Sequence, residues 1–241
     1  MNLRLVRILA VLLVGIVIWL PTVSDAKPLT VVELFTSQGC SSCPPADAFQ
    51  GDLAQREDVL ALSFHVDYWD YIGWKDPFSS PEASARQRSY AHYFKTGHVY
   101  TPQMVIDGRY GEVGSHRGKV LSRMNASIGF PKADVQVEGK ENLISIEVGN
   151  YDGALNDEVG VYLVLLDKKH ETQIRKGENA GRFLSNHNVV REVRWVGKWT
   201  GKASQFSIDK ASLNGLGDRC AVLLQSASLG PIYGAALMDL Q

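Results

Sequence analysis

Cysteine is scarce. The 241-residue chain has three, and only Cys40 and Cys43 form a C-x-x-C pair. A structural zinc site takes about four protein ligands, so without a second pair a zinc knuckle is not expected. Charge is not concentrated either: the formal net charge is -1, with no run of like charges. No nucleic-acid partner is therefore expected. Internal repeats and low-complexity segments are missing. No motif for a nucleotide, flavin or haem occurs, so no cofactor is expected. The one long apolar run, residues 8–20, has 13 residues, fewer than the about 20 that span a bilayer.

That run follows Arg4 and Arg7, ends at Pro21 and leads to Ser24-Asp25-Ala26, with small residues at the two cleavage positions. Residues 1–26 read as an export signal cleaved after Ala26. The expectation is an exported protein, periplasmic or secreted, with no stable membrane insertion after cleavage. In an oxidising compartment a dithiol can persist as a disulfide.

Cys40-Ser41-Ser42-Cys43-Pro44-Pro45 follows the apolar run Val31-Val32-Glu33-Leu34-Phe35 and opens a helical region. Cysteines three apart can close a disulfide across the first turn of a helix, with Cys40 toward its exposed start. The free N–H groups and positive dipole end there favour a thiolate on the first sulfur. Pro44 and Pro45 suit a first turn, where an N–H is dispensable, and Asp47 puts negative charge at the helix start. A structural disulfide, half of a metal site, or chance are the plainer readings of a lone C-x-x-C. So short a disulfide loop restrains the unfolded chain little, which favours redox chemistry.

A buried strand is expected over 29–35, a helix over 45–57 and a second strand over 59–66. An aromatic loop follows, 67–78, with Tyr68, Trp69, Tyr71, Trp74 and Phe78 between aspartates. Ser79 or Ser80 caps the next helix, with Pro81 in its first turn. A loop with Thr101-Pro102 leads to a strand, Asp107-Gly108 marks a hairpin turn, and Ser115 caps a helix ended by Gly129 and Pro131.

In this order, with Cys40 and Cys43 in the dithiol position and Pro102 before its strand, residues 29–130 resemble a thioredoxin-like domain. The resemblance implies a cis bond before Pro102, a proline loop lying against the dithiol, and a Thr101 backbone that pairs with substrate. The chain is also similar to a family of secreted bacterial proteins with a thioredoxin-like fold and no established reaction. That similarity is carried by residues 35–47, Val66-Asp67-Tyr68-Trp69-Asp70, Arg86-Gln87-Arg88, Tyr100-Thr101-Pro102-Gln103 and Gly177-Glu178-Asn179. Gly39 stands where thioredoxin has tryptophan, and Ser41-Ser42 replaces its Gly-Pro. The dipeptide influences reduction potential, so the direction of electron flow stays open.

From Asp134 the pattern becomes short strands with turn signals, which suggests an antiparallel sandwich. The expected fold class is an α/β thioredoxin-like fold, residues 27–131, followed by a smaller antiparallel β-sandwich-like domain, residues 132–241. Residues 177–188 read as a solvated loop between strands; the sharper reading sends Arg182 or His187 toward the dithiol. Cys220 reads as a buried core thiol. His65, Asp67, Asp70 and Asp76 lack the repeated spacing of a metal site, so no metal ligands are assigned.

The function expected is an exported thiol-disulfide oxidoreductase acting on protein or peptide cysteines, with an unidentified redox partner. Cys40 is the nucleophile and Cys43 the resolving thiol, with Pro102 completing the catalytic set. Thr101, Gln103, Trp69 and Trp74 are the substrate contacts. The alternatives are a module binding or delivering a soft ion such as Cu(I), and a non-catalytic thioredoxin-like recognition protein.

Overall fold

The computed structural model describes residues 28–155 and 157–240; the expected export signal, residues 1–26, lies outside them. In chain order, strand β1 (Thr30–Thr36) leads to helix α1 (Pro44–Leu53), β2 (Val59–His65), α2 (Pro81–Tyr93), β3 (Gln103–Ile106), β4 (Tyr110–Val113) and α3 (Arg117–Ser127). Then come β5 (Val135–Lys140), β6 (Leu143–Val148), β7 (Val159–Gln173), β8 (Phe183–Trp199), β9 (Ser204–Asp209), β10 (Arg219–Ser226) and β11 (Ile232–Asp239). Among the described residues, no helix is long and apolar enough to cross a membrane.

Local chemistry sets several of these boundaries. The Ser80 side chain caps α2 by accepting from Ala83 N, and Pro81 occupies the first turn. Asp107 (φ 47°) and Gly108 (φ 64°) carry the left-handed conformations of the three-residue turn that joins β3 to β4, closed by Arg109 N donating to Ile106 O at 2.9 Å. Ser115 does not cap α3. The N-cap is His116, without a side-chain bond, because the first helical carbonyl is its own, accepting from Val120 N at 3.1 Å.

β1 runs parallel to β2 and antiparallel to β3. Its side chains alternate between two cores. Val32 and Leu34 meet Phe49 and Leu53 of α1 and Val120 and Met124 of α3, while Val31 and Phe35 face Ala83 and Tyr90 of α2.

Four of the strands of residues 132–241 do not join a sheet of their own beside the first. β7, β8, β10 and β11 extend the first sheet, giving the eight-stranded order β11-β10-β7-β8-β2-β1-β3-β4. The joint is parallel, at Ser63 and Val189. It is reinforced by Ser63 Oγ donating to His187 O (2.7 Å) and Asn188 Nδ2 donating to Ala61 O (2.8 Å). All seven residues of β2 are buried, and a buried strand cannot leave one edge of backbone groups unpaired. β8 meets that demand.

β5, β6 and β9 form a separate three-stranded antiparallel sheet. It packs Ile144 and Ile146 against Val161, Leu163, Val222 and Leu224 of the large sheet. The architecture is thus mixed α/β, a large mixed sheet with a small antiparallel one packed on it.

The start of β11 reaches the turn between β3 and β4: Ile232 N donates to Asp107 O at 2.9 Å. Gly108 is required there twice over, for its positive φ and because a Cβ would lie 1.7 Å from Gly230 O. Glu33, buried on β1, ties both halves of the chain together. It accepts from Arg86 Nε (2.6 Å) and from the Tyr90 hydroxyl, while Gln225 of β10 accepts from Arg86 Nη2 and donates to Tyr90 (2.7 Å each).

Candidate functional site

The turn between β1 and α1 carries the two cysteines. Cys43 is the N-cap of α1, followed by Pro44 and Pro45, and Cys40 N donates to Ser37 O at 3.1 Å. Cys40 and Cys43 are joined as a disulfide (S–S 2.25 Å). Ser41 and Ser42 are exposed, but Cys40 is only 2% exposed and Cys43 fully buried. Cys40 therefore does not sit at an open helix start.

Three side chains account for the cover. Thr101 Oγ1 donates to Cys40 Sγ at 3.2 Å, and Trp69 Nε1 donates to Thr101 Oγ1 at 2.7 Å. From the far side Asn179 Nδ2 donates to Gln38 O and Cys40 O, both at 2.9 Å. The Thr101–Pro102 bond is cis, and Ser42 Oγ donates to Thr101 O at 3.4 Å. The disulfide, Thr101, Pro102 and Trp69 are thus brought together.

The other expected contacts fare differently. Gln103 is 2% exposed and its amide oxygen accepts from Gln87 Nε2 at 2.9 Å, so its side chain belongs to the interior rather than to a substrate. Trp74 is half-buried and donates from Nε1 to Gln38 Oε1 (3.1 Å), one bond away from the disulfide turn. Phe78 packs on His65 and His170, and Tyr68 and Trp69 pack on the core beneath α2. Tyr71 is the outlier of the loop, 81% exposed.

Residues 183–188, expected as loop, belong to β8. Arg182 is exposed, and the His187 ring lies against Gly51 of α1. From that segment Asn179 reaches the main chain of the disulfide turn, and Asn186 Oδ1 accepts from Gln38 Nε2 at 2.9 Å. Only the place of Asn179 in Gly177-Glu178-Asn179 hinted at its role; a single asparagine in a polar loop has no periodicity to betray a buried role. Cys220 is a free buried thiol in the core between the two sheets, where burial pushes it up to about 11.

Three ionisable groups lie buried around the base of the turn. His65 Nδ1 pairs with Asp76 Oδ2 at 2.7 Å, both side chains fully buried. Asp76 Oδ2 also accepts from Gln38 N (2.8 Å). Burial alone would push the imidazole down, yet the charge of Asp76 and its hydrogen bond hold it above its ordinary value. Burial works against Asp76 as well, but the imidazolium and three hydrogen bonds hold its carboxyl below the usual range. Asp47, one helical turn past Cys43, accepts from Thr36 Oγ1 (2.8 Å). Burial pushes it up to about 7, against the opposing pull of His65. Asp67 and Asp70 instead accept from Ser84 Oγ (2.5 Å) and Ser79 Oγ (2.7 Å) and hold the loop in shape. Among the described residues no group of three or more His, Cys, Asp or Glu is arranged to hold a metal ion.

The family described as "Protein of unknown function (DUF1223)" matches residues 31–225, from β1 to β10. The chain belongs to this family. A crystal structure of a protein from Agrobacterium tumefaciens, determined by a structural genomics consortium, is similar to this DUF1223 chain. The TM-score is 0.77 and the identity 31%, over 89% of this chain and 98% of that one. HBP35 of Porphyromonas gingivalis shares the fold at a TM-score of 0.59 and 14% identity, over 89% of this chain and 76% of its own. No curated protein matches the chain.

Proposed function

We propose that this DUF1223 chain is an exported thiol-disulfide oxidoreductase with a thioredoxin-like N-terminal part, acting on protein or peptide cysteines. The observation that carries the reading is the contact of Thr101 Oγ1 with Cys40 Sγ (3.2 Å), which sets a cis Thr101–Pro102 loop against a disulfide at a helix N-terminus. The helix start favours a thiolate on the first sulfur, and an extended substrate strand can pair with the Thr101 backbone beside it.

In the oxidising direction, a substrate thiolate attacks Cys40 Sγ and the Cys40–Cys43 bond breaks, with Cys43 leaving as a thiolate. A second substrate thiolate attacks the mixed disulfide and releases Cys40. Two electrons pass from two substrate thiols to the pair, and their two protons end on Cys40 and Cys43. In the reverse direction Cys40 is the nucleophile and Cys43 the resolving thiol. Asp47, on the helix face of Cys43 one turn on, is suited to exchange the proton of that thiol near neutral pH. Exchange proceeds from a conformation in which Thr101 and Trp69 have moved off the sulfur.

The 2% exposure of Cys40 favours a second reading, a recognition protein whose disulfide is inert, because reactive cysteines are usually partly exposed. One experiment separates the two. The Cys43→Ser variant, expressed with its signal, is expected to accumulate mixed disulfides through Cys40. A variant that captures no partner, together with a wild-type disulfide that glutathione mixtures do not exchange, would leave only the inert reading. If exchange occurs, a potential of roughly -180 mV or higher marks an oxidant or isomerase, and one toward about -300 mV a reductant.

A further inference from the structure

The C-terminal half of α2 and the turn after it carry Arg88, His92, Lys95 and His98 around a groove of about 630 Å³, floored by Ala91 and Val99. All four basic side chains are exposed. Among the described residues none of them has an ion-pair partner, and no acidic residue lines the groove. In a chain with a formal net charge of -1, the charges of Arg88 and Lys95 with no acidic residue in the lining are a local excess. The helix dipole favours cations at a C-terminus. That accounts for Lys95, but Arg88 lies in mid-helix.

The groove's lining ends at Val99, two residues before Thr101 of the disulfide site. The rings of His98 and Tyr100 are in contact, with centroids 6.1 Å apart, and Thr101 follows directly. Gln87, beside Arg88, donates to Tyr100 O (2.7 Å) and accepts from the Tyr68 hydroxyl (2.9 Å). Arg88 is close enough to Tyr68 to favour its ionised form against the burial that raises it. A polypeptide with its cysteine at Cys40 and its backbone along Thr101 has the groove of Arg88 and Lys95 next along the chain.

We propose that the groove receives an acidic stretch of the polypeptide substrate next to its reacting cysteine. This rests on the oxidoreductase reading for the word substrate; the groove's preference for an acidic peptide can be measured without it. Complementary charge at an exposed rim steers association and weakens with salt.

The first measurement is fluorescence anisotropy with a labelled peptide that has a run of glutamates beside a serine in the cysteine position, and with its lysine counterpart. The glutamate peptide is expected to bind the wild-type protein at least about tenfold more tightly at low salt. The Arg88→Glu, Lys95→Glu double variant is expected to lose that margin. Equal binding of the two peptides, or an unaffected double variant, overturns the proposal. So does binding to anionic phospholipid vesicles with none to the peptide, which would make the groove a membrane contact. Exchange is then followed with the cysteine forms. Binding of the glutamate peptide without exchange supports the groove and overturns the oxidoreductase reading. Exchange indifferent to peptide charge overturns the groove and supports the oxidoreductase.

Discussion

Asn179 Nδ2 lies 2.9 Å from the main-chain oxygen of Cys40, a residue 139 positions earlier in the chain. The same nitrogen donates to Gln38 O, so one buried amide holds the disulfide turn to the loop between β7 and β8. A long-range contact of this kind makes the second half of the chain part of the site's construction.

Replacing Asn179 with alanine takes the side-chain donor from two carbonyls at once; Cys40 O keeps its bond from Cys43 N at 3.3 Å, whereas Gln38 O loses Asn179. The expected loss of stability is about 1–3 kcal/mol, the cost of one unsatisfied buried group. Urea unfolding of the oxidised protein measures it. A loss within the error of the wild-type value would mean that the turn holds its shape without this anchor.

Thr101 and Trp69 close over Cys40 through two successive hydrogen bonds, 3.2 and 2.7 Å long. The Trp69→Ala variant keeps the threonine but removes the ring that orients it. Its disulfide should be reduced by dithiothreitol roughly tenfold faster, the effect of removing about 1.4 kcal/mol from the closed state. Stopped-flow reduction followed by alkylation reads the rate, and an unchanged rate would show that the ring does not control access.

Asp47 gives the stability a pH dependence with a definite sign. Burial raises its folded-state value from 3.8 to about 7, so the native state binds the proton more tightly than the unfolded chain. The stability this contributes is full below about pH 4 and is lost as pH rises through about 7, by at most about 4 kcal/mol. The Asp47→Asn variant should remove that decline, so its stability relative to wild type rises between pH 4 and 7. Two parallel denaturation series across that range would reveal the divergence; parallel curves would place the titration elsewhere.

Among the described residues, Glu33 is the carboxylate paired with Arg86 in the buried network of β1, α2 and β10. The Glu33→Ala variant leaves that guanidinium without its countercharge and should cost about 3–5 kcal/mol. Arg86→Met with Glu33→Leu, which removes both charges, is expected to recover most of the loss. Equilibrium denaturation of the single and double variants tests it, and equal losses in both would point to packing rather than charge.

Much of the local structure was legible because it is written in neighbouring residues. Pro44 and Pro45 announce the start of α1, Ser80-Pro81 the start of α2, and Asp107-Gly108 the hairpin, each through backbone chemistry acting over a few positions. Ser115 shows the limit even there: two adjacent polar residues can both precede a helix, and the path of the hairpin chose His116. The apolar stretch of β2 announced a strand covered on both faces, but not that β8 would supply its second edge.

The amino-acid sequence by itself determined the two cysteines at a helix start, the proline before β3 and the apolar run that becomes the buried β1. Only the tertiary structure decided that Ser63 pairs with Val189, that Thr101 and Asn179 enclose Cys40, and that Asp47 is desolvated enough to titrate near neutrality. The reason is range. A helix start or a tight turn depends on dihedral preferences and hydrogen bonds within one turn of chain. The covering of a sulfur or the protonation of a carboxyl depends on atoms brought together from 61 and 139 residues away, and no periodicity in the chain records that meeting.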